Sequence, residues 1–134
     1  MLRDERQIAL NEAVEASLHA AHVHEHGADL LGDDSLGLRE LVARRRRDAE
    51  ILAEHIRRLG DLPMEPDPEY EVAGDIVSQI KAALAADQRR LVTERSNEAE
   101  EALAAALREA LRHDLPPDTR RDLERILSSQ AQLA

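Results

Sequence analysis

Glu15, His19, His22 and His26 follow one another at intervals of four, three and four residues. On a helix that advances ~100° per residue, these intervals place all four side chains on one stripe. His22 and His26 have the i, i+4 spacing at which two imidazoles can share a zinc, nickel or copper ion. With Glu15 and His19 added, the stripe would make a divalent-metal site for Zn, Ni or Fe, and no other cofactor is expected. Because imidazole titrates near neutral pH, the same residues could serve a pH or metal sensor. The stripe also reads as a solvated polar face, since it lies opposite Leu10, Val14 and Leu18. Rotating the helix to bring Glu15 inward would carry His19 and His22 with it, and the sequence leaves that rotation open.

Other clusters carry less chemistry. Arg44 to Arg47 are consecutive, so on a helix they point in four directions and cannot form one stripe for nucleic acid. Asp48 and Glu50 beside them suit intrahelical pairing. Glu94, Glu98, Glu100 and Glu101 read as ordinary helix solubility. Ser96, Ser128 and Ser129 have no histidine and acid at a triad spacing, and there is no glycine-rich phosphate loop. No catalytic residues are assigned, and the chain is not read as an enzyme.

The elements that position these residues are helical throughout. The first helix spans 4–31, with Leu10, Val14, Ser17, Leu18, Ala21 and Ala28 toward a core and Gly32 as its stop. The second spans 35–59, presenting Leu38, Leu41, Val42, Ala49, Leu52, Ile56 and Leu59, and ends at Gly60. Pro63, Pro66 and Pro68 forbid a helix there and mark a crossover over 60–69. A third helix over 70–113 changes apolar phase, from Val72, Ile76, Ile80 and Leu84 to Val92, Ala99, Ala102, Leu103, Ala106 and Ala110, which predicts a kink near 86–88. Pro116 and Pro117 open a fourth helix over 116–132. No segment alternates with period two, so the class is all-α, one antiparallel four-helix bundle with a long crossover between the second and third helices.

At 134 residues the chain fits one domain able to bury its own core. Tyr70 is its single aromatic residue and it has no cysteine, which removes base stacking, disulfides and thiol chemistry. A formal charge of -10 argues against binding nucleic acid or an anionic membrane. No apolar run approaches the ~18 residues of a membrane span. The start, MLRDERQIAL, is charged rather than signal-like. A cytoplasmic protein is expected. Its core is poor in large side chains, which favours a homo-oligomer, and its protein partner is unspecified.

ALNEAVEAS in the first helix, HIRRLGDLP closing the second and HDLPPDTRRDLE opening the fourth resemble the small bacterial ferritin-like proteins of the bacterioferritin and rubrerythrin group, over roughly Ile8 to Ala134. The resemblance implies a ferritin-like bundle. In its iron-handling members, a Glu on the first and third helices and a Glu-x-x-His on the second and fourth hold two metal ions. Matched by position, Glu15 stands for the first ligand and Glu94 or Glu98 for the third-helix ligand. Arg45-x-x-Asp48 stands where Glu-x-x-His should be, and the fourth helix offers no ligand. The resemblance therefore implies a non-catalytic structural or interaction module that has lost the di-iron set. Arg45 also lies on the core face of its helix beside Leu41, Val42 and Ala49. A buried guanidinium must be paired, and the expected charge network is Glu15, Arg45, Asp48 and Glu98.

Overall fold

The computed structural model describes residues 4–32, 36–60 and 87–130. Among them are four α-helices and no strand: α1 (Glu5–Leu31), α2 (Leu36–Arg58), α3 (Gln88–Leu111) and α4 (Pro117–Ser129). Asp4 starts α1 through a capping box, its carboxylate accepting from the Gln7 amide while the Gln7 side chain accepts from the Asp4 amide. Gly32 ends α1 at φ 62°, and Gly60 follows α2 at φ 85°, both in the left-handed region that glycine adopts without strain. Proline opens α4, where its missing N–H costs no helical hydrogen bond.

The fourth helix is shorter than the 116–132 expected from its sequence. Gln130 turns to an extended conformation, and its side-chain amide donates 2.8 Å to the Glu100 carbonyl on α3. Residues 61–69 of the crossover expected over 60–69, residues 70–86 of the third expected helix and, with them, residue 86 of the kink expected near 86–88 lie outside the described residues; α3 starts directly after Asp87.

α1 packs against α2 and α3, and α4 packs against the same two helices. Cross-links along each pair fix its direction. Ser17 meets Arg45 and Gln7 meets Leu59, so α1 and α2 are antiparallel. His24 meets Glu100 and Arg6 meets the Asp114 carbonyl, so α3 is antiparallel to α1 as well. His55 and Arg58, late in α2, meet Asp122 and Asp118, early in α4. Every neighbouring pair is thus antiparallel. α2 and α3 run in the same direction on opposite corners, and Gly60 and Asp87 lie at opposite ends of the helical array.

Among the described residues the core forms two clusters. Leu10, Leu52, Ile56, Leu103, Leu107, Leu123 and Ile126, all fully buried, form the larger cluster at one end. Ala28, Leu38, Leu41 and Val92 form a smaller one at the other. Between them, at the level of residues 17–24, 45–48 and 96–100, lies a layer of buried polar side chains: Ser17, His24, Arg45, Asp48, Ser96 and Glu100. Gly27 lets α1 and α3 approach beside this layer, since a Cβ there would stand 2.7 Å from Val92 Cγ1. Among the described residues, no helix is long and apolar enough to cross a membrane.

Candidate functional site

Arg45 is the centre of the polar layer and is 0% exposed. It lies on α2 four residues after Leu41 and four before Ala49, on the face turned to the core, whereas Arg44, Arg46 and Arg47 project outward. Its guanidinium grips Glu100 of α3 with two bonds, Nε to Oε2 at 2.8 Å and Nη2 to Oε1 at 2.5 Å. Nη1 donates to Asp48 Oδ2 at 2.6 Å, one helical turn further along α2. On α1, Ser17 Oγ donates 2.6 Å to the Arg45 carbonyl, and His24 Nε2 donates 3.0 Å to Glu100 Oε2. Three helices therefore contribute side chains, and Gln130, just past α4, holds the Glu100 backbone.

The two carboxylates on this guanidinium shift in opposite directions. Burial would raise Glu100, but hydrogen bonds from His24 and Arg45, with the Arg45 charge, hold it down at about 2. Asp48 is raised, because burial outweighs the single bond it takes from Arg45. Burial acts to lower Arg45, yet the two carboxylates together raise it, so it stays charged. His24 Nδ1 and Ser96 Oγ are buried without a hydrogen-bond partner among the described residues.

Two members of the expected network, Arg45 and Asp48, meet here, and two do not. The third-helix carboxylate is Glu100 rather than Glu98, whose side chain is 64% exposed and pairs with Arg95. Helical phase explains this: Glu100 stands four residues after Ser96 and three before Leu103, both buried, while Glu98 is turned ~200° from it. On α1 the residue at the level of Arg45 is Ser17, and Glu15, two positions away, is half-buried on the other side of the helix.

The histidine stripe separates similarly. His22 and His26 are together, half-buried, with their Nε2 atoms 3.0 Å apart. His19 instead lines a cleft of about 120 Å³ with Val23, Arg95, Glu98, Ala99 and Ala102. Burial there, and then the charge of His24, push His19 below its ordinary 6.5. Among the described residues, no three His, Asp or Glu side chains converge as they would around a metal ion. His24, outside the stripe, is the histidine that enters the centre, seven residues after Ser17 on the same face.

A second polar group ties α4 down. His55 of α2 donates Nε2–H to Asp122 Oδ2 at 2.7 Å, and the Thr119 hydroxyl lies 2.9 Å from Nδ1 of the same ring. Asp122 is lowered, first by that hydrogen bond. Thr119 is buried at the start of α4, and the arrangement staples two helices. Compared with protein-family models, curated proteins and solved structures, the chain finds no match.

Proposed function

We propose that the chain is a four-helix bundle of ferritin-like plan whose centre is closed by a guanidinium, and that it works as a non-catalytic structural or interaction module. The observation that carries this is Arg45, fully buried with Asp48 and Glu100 on its three inward N–H groups. The antiparallel neighbours and the parallel diagonal pair α2 and α3 support the same plan, which needs one long connection between its second and third helices. The donor set does not fit a di-iron pair. Guanidinium has no lone pair to give a metal, and the two carboxylates at the centre, Asp48 and Glu100, already accept from it. Their charge is met by Arg45 instead.

In this reading the layer sets helix register, the best-attested use of a buried polar group in a helical core. Ala-rich helices with few large side chains suit a homo-oligomer. Among the described residues, Ile8 is the one large hydrophobic that is exposed, while Ala43, Ala102 and Ala105 are exposed small ones. Aerobic loading with ferrous ion tests the reading: no oxidation above the buffer rate is expected. Recovery of about two irons per chain, the stoichiometry of the di-iron relatives, would refute it.

A further inference from the structure

The centre is closed to metal ions, but α1 carries a histidine pair outside it. All six histidines fall within the described residues. His24 and His55 are buried against Glu100 and Asp122, His19 lines the cleft with α3 residues, and His113 lies beside Glu109 one turn earlier. His22 and His26 form the single i, i+4 pair. Their rings meet edge-on, with centroids 4.3 Å apart and planes at 87°, and both Nε2 atoms converge to 3.0 Å. Glu25 is paired with Arg46 of α2 and so is turned away from the pair.

That separation brings the pair within reach of one ion. Two metal–imidazole bonds of ~2.0–2.1 Å spanning 3.0 Å subtend roughly 91–97° at the ion, near the cis angle of a tetragonal site. Because the rings turn when the hydrogen bond breaks, the ~3.3 Å of a tetrahedral ion is also within their reach. Without metal, one ring donates its Nε2–H to the lone pair of the other. On binding, that proton moves to Nδ1 of its own ring, both Nε2 lone pairs turn to the ion, and no net proton is lost.

We propose that His22 and His26 form a two-imidazole chelate on α1 for a divalent transition-metal ion, copper(II), nickel(II) or zinc(II). Copper(II) binds the tightest of the three, by the general order of divalent affinities. The inference goes beyond the closed centre and does not depend on it.

Calorimetric titration of untagged protein with copper(II) chloride, nickel(II) chloride and zinc chloride tests it, using wild type, His22→Gln, His26→Gln and His113→Gln. One copper per chain is expected, weakened at least ~10-fold by either stripe substitution and unchanged by His113→Gln, with helicity by circular dichroism the same in all. The copper spectrum of the wild type, which needs no variant to fold, should show two coordinating nitrogens by electron paramagnetic resonance. Absence of copper binding, superimposable isotherms for the wild type and both stripe variants, a one-nitrogen spectrum, or zinc bound as tightly as copper would each overturn the proposal.

Discussion

Four arginines in succession experience two environments, and a difference of one position decides which. Arg45 shares a face with Leu41, Ala49 and Leu52, while Arg44 and Arg46 are exposed. An exposed arginine contributes through a screened ion pair such as Arg46 with Glu25. Arg45, by contrast, leaves two buried carboxylates without their cation if it is removed. Arg45→Ala should therefore lower stability by ~3–5 kcal/mol, against less than ~0.5 for Arg44→Ala or Arg46→Ala. Urea denaturation of the three variants measures this, and equal midpoints would make Arg45 an ordinary surface charge. The position of Arg45 on its helix follows from spacing alone. The choice of Glu100 over Glu98 could have followed too, from its distance of three and seven residues to Leu103 and Leu107. It was hidden because four acids within eight residues resemble a solvated face.

At the scale of helices, boundaries set by chemistry are readable and rotations are not. Asp4, Gly32, Gly60 and Pro117 mark ends by capping preference or fixed φ. The end of α4 is different, since Gln130 leaves the helix for a tertiary bond to α3 that no local pattern encodes. The core face of α1 is centred near Ser17 and His24 and includes Ala13, Ala20 and Gly27, while Leu18 is half-buried at its edge. Alanines explain the ambiguity, because small side chains weaken the apolar signal that fixes phase. Likewise Ala102 of α3, expected inward, is exposed, and Leu107 and Ala104 take the buried places. At Gly27, α1 and α3 approach too closely for a free Cβ, so side-chain bulk there acts on the pair. Gly27→Leu should destabilise by ~1–3 kcal/mol through overpacking against Val92, despite the better helix propensity of leucine. A thermal midpoint at or above that of the wild type would show that the contact yields freely.

For the whole molecule, two apolar clusters separated by a charged layer make stability depend on pH through that layer. Glu100 releases its proton at about 2 in the folded protein, against an ordinary 4.5. Its ionised form thus stabilises the fold at any pH above ~4.5, and that contribution disappears as the pH falls from 4.5 toward 2. The difference is worth about 3 kcal/mol at neutral pH. Asp122 and Asp4, also lowered, act in the same sense, through the His55 bond and the Gln7 amide respectively. Asp48 acts oppositely: it is raised, so its contribution is present at low pH and lost as the pH rises through its folded value. With a formal charge of -10, acid also relieves repulsion among surface carboxylates, so the pH profile of the wild type alone mixes several effects. Comparison with Glu100→Gln isolates the layer, since Asp4, Asp122 and the surface charge are common to both proteins. The stability gap between wild type and Glu100→Gln should be widest above pH 5 and narrow steadily below ~4.5, as urea midpoints across this range would record. A gap that stays constant down to pH 3 would mean that the Glu100 carboxylate is not held in its ionised form by His24 and Arg45.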